Sequence, residues 1–317
     1  MDDLILEVKS FEKALENFQK KYGFLWSDTL PVNPTYLSSV GNTIDWARGE
    51  LNNNINPDYN NIKINYSIGD GGFRVYPNYK PSNSKKVFTF GCSMTFGVAV
   101  PDEFTWPLLL AEKLGSWNVC NYGIPAASSW EIVRACYQTI TSLKKEDYPD
   151  AIFLLFPDFF RAEYLGNNKT EPVKFPINIH AGKYPTKESF SSITPNNEQG
   201  ALGHSKILAY FEYTSALHSF FEMVKAFKFI QEFLNSKNIP WFWYTWYPSM
   251  LGLNLDTINT YFCSNNAIVD DSGLKFIKRD KGRDNVHAGF KYNDMVAEEF
   301  SQLYKTYEIN KFNNKQN

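Results

Sequence analysis

The sequence lacks the patterns that mark several common classes of protein. It has 317 residues and a net charge of −2, and no run of Lys or Arg is longer than two, so nothing predicts a nucleic-acid-binding surface. No apolar run approaches the roughly 18 residues of a membrane-spanning helix. The amino terminus carries acidic residues early and has no apolar signal segment. We therefore expect no nucleic-acid or membrane partner, and a cytoplasmic location or a place in a non-membrane assembly.

Cysteine and histidine are sparse and show no metal-binding spacing. The four cysteines contain no Cys-x-x-Cys pair, and the four histidines form no His-Glu-x-x-His pair. A structural or catalytic zinc site is therefore not expected. Without an export signal, the thiols are expected to be reduced.

The composition is that of a globular protein with an unusual share of aromatic residues. Hydrophobic residues make up 43% of the chain and charged residues 21%, which argues against wholesale disorder. The length allows one large α/β domain with additions, or two small domains. The aromatic content of 17% can mark a carbohydrate-contacting surface, although core packing is the more frequent use of these side chains.

The amino-terminal part of the chain predicts a helix followed by an irregular segment. Residues 27–70 are rich in Asn, Pro and Asp and show little periodicity, so we expect them to wrap around the domain. The glycines of "IGDGGFR" predict a turn, because they do not lead from a strand into a helix as a phosphate-binding loop does. Before them, apolar residues at alternating spacings of four and three predict an amphipathic helix that ends at Gly23: Leu4, Val8, Phe11, Leu15, Phe18 and Tyr22. This helix could pack on its own domain or pair with a second copy in a homo-oligomer.

From Lys85 onward, strand patterns alternate with helix patterns. Apolar and aromatic runs predict strands at "VFTF", "WNVCNYG", "DAIFLLF" and "IPWFWYTWY". Amphipathic patterns predict helices at residues 101–115, 128–140, 205–236 and 289–307. Ser128 and Glu131 have the spacing of a capping box at the start of the second of these helices. Such an alternation predicts a parallel sheet with helices on both faces.

The first of these strands runs directly into a turn that carries a hydroxyl group. In "VFTFGCSMTFG", residues 87–97, Ser93 follows the strand closely, and Gly91 and Gly97 allow a tight turn. In α/β enzymes a nucleophile commonly stands at the carboxyl end of a strand on such a turn. The alternative is an ordinary strand-to-helix turn that contains a serine.

Other polar or glycine residues follow the later strands and precede the last helix. Gly123 follows the second strand, and Asp158 and Arg161 follow the third. In "RDNVHAG", Asp284 lies three residues before His287, so its carboxylate can hold the imidazole Nδ1–H and leave Nε2 free as a base. These segments meet at one edge of a parallel sheet, where ligands bind. A serine early in the chain, with Asp and His late, is a known order of a catalytic triad.

The segments "FGCSMTFG", "NYG" and "DNVH" resemble the first, second and fifth sequence blocks of the SGNH (GDSL-type) hydrolases, and the resemblance covers about residues 65–307. It implies a flavodoxin-like three-layer α/β/α domain with a parallel sheet that hydrolyses or transfers acyl esters without a metal or organic cofactor. It also implies that Ser93 is the nucleophile, His287 the general base and Asp284 its orienting partner. The N–H groups of Ser93 and Gly123 would form the oxyanion hole.

The sequence departs from the family pattern at two places. Cys92 stands where the family usually has an aspartate before the nucleophile, and "LFPD" replaces the block that brings an asparagine to the oxyanion hole. Asp158 is a poor substitute, because an ionised carboxylate repels an oxyanion, and losing one donor typically costs about 3 kcal/mol of transition-state stabilisation. Arg161 is long enough to reach the hole or a substrate carboxylate, or it pairs with a neighbouring carboxylate such as Glu163.

The expected function is that of a serine esterase acting on short acyl esters, above all acetyl esters, with an O-acetylated saccharide as the favoured substrate class. The first alternative is an O-acyltransferase, in which the same residues pass the acyl group to a sugar hydroxyl. The second is a catalytically degenerate structural or binding module. We expect three parts of the chain: an amino-terminal helix and wrapping segment (1–84), a hydrolase-like domain (85–309) with a long polar insertion (165–203), and a carboxyl-terminal tail (310–317).

Overall fold

The fold is taken from a computed structural model of the protein. The structure describes residues 41–44, 56, 64–69, 73–125, 127–157, 162–164, 177–179, 216–245, 267–269, 280–283 and 287–313. The strands are β1 (Gly41–Ile44), β2 (Asn65–Ile68), β3 (Arg74–Val75), β4 (Lys86–Gly91), β5 (Asn118–Gly123), β6 (Ala151–Phe156), β7 (Ala162–Tyr164), β8 (Ile177–Ile179), β9 (Trp241–Thr245) and β10 (Ala267–Val269). The α-helices are α1 (Ser93–Phe96), α2 (Trp106–Lys113), α3 (Ser129–Ser142), α4 (Ala216–Lys237) and α5 (Phe290–Asn313). Short 3-10 turns lie at Asp102–Phe104 and Lys145–Asp147.

The central sheet has five parallel strands in the order β10-β9-β6-β4-β5. Numbered by their appearance in the sheet, this is the order 2-1-3-4-5 of flavodoxin-like folds, read from the β5 edge. Right-handed crossovers place the helix after β4 and the helix after β5 on opposite faces. Accordingly α2 packs against α5, and α3 packs against α4. The predicted three-layer α/β/α sandwich is confirmed.

The core lies on both faces of the central strands. Every residue of β6 is buried, as expected for a strand in the middle of a parallel sheet. Phe153 stacks on Phe242 of the neighbouring β9, with ring centroids 5.1 Å apart. The aromatic side chains Trp241, Trp243 and Tyr244 are also buried. These members of the aromatic run therefore pack the core, as the sequence predicted, and do not form a sugar-binding surface.

The predicted elements of this domain are present, with shifted ends. Ser128 accepts a hydrogen bond from the Glu131 N–H (3.1 Å) at the start of α3, which confirms the predicted helix cap. The predicted helix at residues 101–115 is a 3-10 turn followed by α2. The last helix continues to Asn313, beyond its predicted end. Strands β1 and β10 were not predicted, because runs as short as "GNTI" and "AIV" carry no measurable period.

The segment before β4 contains a small antiparallel sheet, β1-β2-β3, so the prediction of an irregular segment was wrong for residues 41–44 and 65–68. The Gly69 N–H donates to Phe73 O (2.9 Å), which closes the β2–β3 hairpin at the glycine-rich turn. Ile64, Tyr66 and Ile68 form a second apolar cluster with the last residue of α1 and with two residues that follow it (Phe96, Val98 and Ala99). Chain that precedes residue 85 thus packs directly on the turn that carries Ser93.

Several predictions concern residues that the structure does not describe. These are the amino-terminal helix at residues 4–22 and most of the 165–203 insertion, of which only β8 is described, paired with β7. The domain limits also stay predictions. Within the described ranges, no helix has the length and apolar character needed to cross a bilayer.

Candidate active site

Ser93 is the first residue of α1, immediately after the Cys92 residue that caps this one-turn helix. Its carbonyl oxygen accepts the N–H groups of Gly97 and Val98, both at 3.0 Å, and Gly97 ends the helix in the left-handed conformation with φ 82°. Ser93 is 4% exposed. The predicted strand, turn and helix are therefore present, and the serine lies in the turn with little contact with solvent.

Two glycines allow β4 and β5 to approach this turn. Gly91 and Gly123 are paired across the two strands. A side chain at Gly91 would collide with the Thr95 hydroxyl, and a side chain at Gly123 would collide with the backbone nitrogen of Phe96. Both glycines are required by close approach of the backbone rather than by turn geometry. The end of β5 thus lies against the helix that Ser93 begins.

The serine stands at the switch point of the sheet. Strand β4 lies between β5 and β6, and the helices that follow β4 and β5 cover opposite faces. In open α/β sheets, ligands bind outside the carboxyl ends of the strands where this reversal occurs. Ser93 follows β4 at that edge of the sheet.

His287 belongs to a short loop that folds back on itself. Lys281 and Ala288 form an antiparallel bridge, and the Gly282 N–H donates to His287 O (2.8 Å). The side chain of Asp280, directly before the bridge, accepts a hydrogen bond from the Tyr292 N–H (2.9 Å) near the start of α5. His287 is half-buried, and its carbonyl oxygen and the following residue are held by the Gly282 N–H and the Lys281 bridge.

This loop docks on the chain that follows α1. The Arg283 N–H donates to Ala99 O (3.0 Å), and a side chain added at Gly282 would come within 2.9 Å of the same oxygen. The Asn293 side chain joins the loop to α2, since its Oδ1 accepts the Trp106 N–H (3.0 Å) and its Nδ2 donates to Gly289 O (2.9 Å). The structure thus brings the segments of Ser93 and His287 into direct contact.

The N–H of Gly123 is engaged inside the protein. It donates to Asn121 Oδ1 (2.8 Å) in a buried position. The role expected for it in an oxyanion hole requires this bond to break. The first-turn N–H groups of a helix have no intrahelical acceptor, and Ser93 occupies such a position in α1. Its N–H therefore stays the better placed of the two predicted donors.

Asn121 is the centre of a buried polar network that the sequence did not predict. Its Nδ2 donates to Tyr76 Oη (2.7 Å) and to Thr95 O (2.9 Å), and the Tyr76 and Thr105 hydroxyls are hydrogen-bonded at 2.8 Å. Burial raises the pKa of Tyr76 to about 12, so the phenol is neutral at physiological pH. The one available signal was a polar Asn between Cys120 and Tyr122 in a predicted strand, because such a side chain needs partners when it is buried.

Cys92 packs differently from Ser93. Cys92 is fully buried and belongs to the main apolar cluster, and its carbonyl oxygen accepts the Thr95 and Phe96 N–H groups (3.0 and 2.9 Å). A thiol surrounded by apolar side chains is poorly placed to attack a substrate. The geometry favours the hydroxyl of Ser93 over this thiol.

Three of the predicted site residues, Asp158, Arg161 and Asp284, lie outside the described residues. The pairing of Asp284 with His287, and the roles of Asp158 and Arg161, therefore stay predictions. Within the described ranges, no three His, Cys, Asp or Glu side chains come together in an arrangement that could hold a metal ion.

Comparison with known proteins finds similarity only among solved structures. No profile of a known protein family matches the sequence, and no curated protein is a detectable relative. A Desulfitobacterium hafniense DCB-2 protein assigned to the lipolytic G-D-S-L family is 13% identical, over 69% of this chain and 99% of that protein, with a TM-score of 0.36. The acetyl xylan esterase AlAXEase is 15% identical, over 67% and 96%, with a TM-score of 0.35. A member of the lipolytic G-D-S-L family from Veillonella parvula DSM 2008 is 13% identical, over 71% and 98%, with a TM-score of 0.30. Similarity this low says nothing about what the present chain does.

Substitution of Gly123 should be far more damaging than substitution of a glycine in open space. Gly123→Ala places a methyl group on the backbone of Phe96, so we expect the free energy of unfolding to fall by about 3 kcal/mol or more. Gly115 is the matched control, because it has φ 96° and nothing within 4 Å of an added Cβ, and Gly115→Ala should cost only about 1 kcal/mol of backbone strain. Urea denaturation of both variants measures the difference, and equal losses would contradict the close approach at Gly123.

Tyr76→Phe tests the network around Asn121. The change removes the oxygen that accepts from Asn121 and pairs with Thr105, so we expect the free energy of unfolding at pH 7 to fall by about 1–3 kcal/mol. The pKa of Tyr76 is about 12 in the folded protein and 10.0 without burial. The unfolded wild type therefore loses its proton first, and the wild-type advantage should shrink as the pH rises from 10 to 12. Denaturation curves across this pH range check the trend; an advantage that is constant with pH would contradict it.

Proposed function

We propose that the protein is a serine ester hydrolase that works through an acyl-enzyme, with Ser93 as nucleophile, His287 as general base and Asp284 as its orienting partner. The observation that carries the proposal is the docking of the His287 loop on the turn after Ser93, through the Arg283 N–H and Ala99 O. Residues far apart in the sequence thereby share the edge of the sheet where ligands bind. The resemblance of the sequence blocks assigns the same residues.

The reaction needs only the groups of this chain, an ester and water. Ser93 Oγ attacks the ester carbonyl carbon while His287 Nε2 takes the hydroxyl proton. The tetrahedral intermediate collapses, the carbon–oxygen bond to the alcohol breaks, and the imidazolium returns the proton to the leaving oxygen. Water then attacks the acyl-Ser93 ester with His287 again as base, releasing the acid and restoring the hydroxyl. The carboxylate of Asp284 would hold the Nδ1–H throughout.

The oxyanion needs donors that are aimed at it. The Ser93 N–H is one, and Gly123 could contribute the second after its N–H leaves Asn121. The family's asparagine is absent, so Arg161 is proposed as a replacement donor or as a contact for a substrate carboxylate. An acetyl ester of a saccharide is the proposed substrate class, by resemblance to the family. Transfer to a sugar hydroxyl would use the same residues, and the release of free acid distinguishes hydrolysis from transfer.

A second candidate function is a binding or structural module without catalysis. The bond between the Gly123 N–H and Asn121 Oδ1 favours it, because that bond occupies a donor which catalysis would need. The missing asparagine points the same way. The wild-type activity and the reactivity of Ser93 decide between the two functions.

We expect Ser93→Ala and His287→Ala to reduce the hydrolysis of short-chain nitrophenyl esters by about a thousandfold or more, because each removes a group that acts in bond formation. Cys92→Ala is the matched control at the neighbouring position and should keep kcat within about threefold. Thermal unfolding of each variant should confirm that it is folded.

The opposite pattern would reverse the assignment. Loss of activity in Cys92→Ala with retention in Ser93→Ala would make the thiol the nucleophile. A wild-type protein that cleaves none of these esters and is not labelled at Ser93 by a fluorophosphonate would favour the binding module.

Arg161→Ala separates three roles of this side chain. If the guanidinium supports the oxyanion, kcat should fall about a hundredfold on any ester. If it binds a substrate carboxylate, KM should rise for acidic esters and stay unchanged for neutral ones. If it only pairs with Glu163 or Asp158 at the surface, neither constant should move, and Arg161 would then be removed from the site. We expect one of the first two outcomes.

A further inference from the structure

The guanidinium of Arg74 is buried between the chain that follows Ser93 and the ring of Tyr66, whose centroid lies 4.7 Å from Arg74 Cζ. Arg74 is 1% exposed. Its Nε and Nη2 both donate to Asp102 Oδ1, at 2.8 and 2.6 Å. The other N–H groups bind the backbone oxygens of Phe96 (3.1 Å), Gly97 (2.6 Å) and Val100 (3.0 Å). All five donors of the guanidinium are therefore in use.

Arg74 supplies donors to carbonyl groups that the turn satisfies only in part, since Gly97 O accepts one long hydrogen bond within the turn, from the Val100 N–H (3.4 Å). Helix α1 is only four residues long and ends at Gly97, so its last carbonyl oxygens have no helical donors. They are buried, and an unpaired buried acceptor costs about 1–3 kcal/mol. A guanidinium reaches several of them at once in a fixed plane. A lysine has fewer donors and no such plane, so it cannot replace Arg74 here.

The same turn carries the attachment point of the His287 loop. Ala99 has φ 66°, a conformation that costs a residue with a side chain roughly 1–3 kcal/mol. Its N–H donates to Tyr66 Oη (2.8 Å), and its carbonyl oxygen accepts the Arg283 N–H. Hydrogen bonds at both the N–H and the carbonyl oxygen of Ala99 stabilise this strained conformation. The direction of the carbonyl group then fixes where the His287 loop docks.

The amino-terminal segment contacts the His287 loop as well. Asn56 donates its backbone N–H to Arg283 O (3.0 Å) and its Nδ2–H to Lys281 O (2.6 Å). Residues that precede the predicted hydrolase domain therefore bind both halves of the candidate site. Asn56 binds the His287 loop, and Arg74 binds the turn after Ser93. Of these two residues, Arg74 makes the larger number of the hydrogen bonds described, and it is the buried one.

We propose that Arg74, paired with Asp102, is a positioning residue for the catalytic pair: it fixes the turn of residues 96–100, and that turn sets the distance between Ser93 and His287. The inference rests on the proposed function for its catalytic consequence. It makes residues 64–79 part of the active unit. Arg74 touches no reacting atom, and its effect on catalysis passes through the backbone.

A purely stabilising role would predict that activity follows stability alone. Two controls separate the roles. Val133→Ala removes buried apolar contacts on α3, in the other helical layer, and should lower the melting temperature without moving the turn. Lys113→Gln removes ion pairs to Asp294 (3.1 Å) and Glu298 (3.0 Å), and so tests the loss of a charge pair away from the site.

The test compares Arg74→Lys, Asp102→Ala and Asp102→Asn with these controls, in the full-length protein below its melting temperature. Asp102→Asn keeps an oxygen acceptor for the guanidinium, so it is the conservative variant. We expect kcat on nitrophenyl acetate to fall about tenfold to a hundredfold in Arg74→Lys and Asp102→Ala, with KM within about threefold, since misplaced groups lose rate rather than binding. Asp102→Asn keeps the acceptor but removes the charge, so its kcat should lie between those of Asp102→Ala and the wild type, and the controls should keep wild-type kcat.

Amide hydrogen exchange supplies a readout that needs no activity. We expect exchange at Ala99 and Arg283 to rise about tenfold or more in Arg74→Lys and Asp102→Ala, and to stay at the wild-type rate in Val133→Ala. If Arg74→Lys fails to fold, the Asp102 variants decide. Unchanged exchange at both amides, or a fall in kcat no larger than in Val133→Ala at equal stability, would overturn the proposal. A wild-type protein without esterase activity would contradict the proposed function. The exchange rates would still decide whether the conformation of the turn depends on Arg74.

Discussion

The burial of one positive charge organises the region around Ser93. A guanidinium taken out of water is tolerated only if its charge is paired and its donors are used. Asp102 supplies the charge, at 2.6 Å, and the backbone of residues 96–100 supplies the remaining acceptors. Burial raises the pKa of Asp102 while the guanidinium lowers it, so each group is costly to bury without the other. This mutual dependence fixes the turn more firmly than apolar packing could, because hydrogen bonds to carbonyl oxygens specify direction.

The other polar network at the candidate site would compete with the proposed catalysis for a donor. Asn121 joins the end of β5 to α1 through Thr95 O and holds the Gly123 N–H. These bonds satisfy buried groups and bring the glycine backbone against Phe96. The same bonds direct the glycine N–H into the protein, away from any substrate. The stability of the strand end and the completeness of the proposed oxyanion hole thus place opposite demands on the Gly123 N–H group.

The sequence predicted those features that depend on local pattern. The strands β4, β5, β6 and β9 follow from apolar runs, and the cap at Ser128 follows from spacing. Features that depend on distant contacts were beyond it. Nothing near Arg74 in the sequence indicates that its acceptors lie at residues 96–100, or that its charge partner is Asp102. Likewise the glycine of "NYG" was expected to present its N–H to a substrate, and nothing in the local sequence indicates that it lies against Phe96 or that Asn121 accepts its N–H. Local pattern therefore located the turn that carries Ser93, and only the folded chain shows what holds it.

The free energies of the two possible hydrogen bonds of the Gly123 N–H, to Asn121 or to a substrate oxyanion, indicate which one forms. A neutral hydrogen bond such as that between Gly123 and Asn121 contributes about 1 kcal/mol net. An oxyanion donor is worth about 3 kcal/mol in the transition state. The exchange is therefore favourable at the moment when negative charge develops on the substrate oxygen, provided that Asn121 Oδ1 finds another partner or water. Without substrate the balance reverses, and the N–H returns to Asn121. The engaged glycine is thus compatible with the proposed enzyme, whose oxyanion hole would form in response to charge, whereas Arg74 and Asp102 hold the turn after Ser93, on which the His287 loop docks, before any substrate arrives.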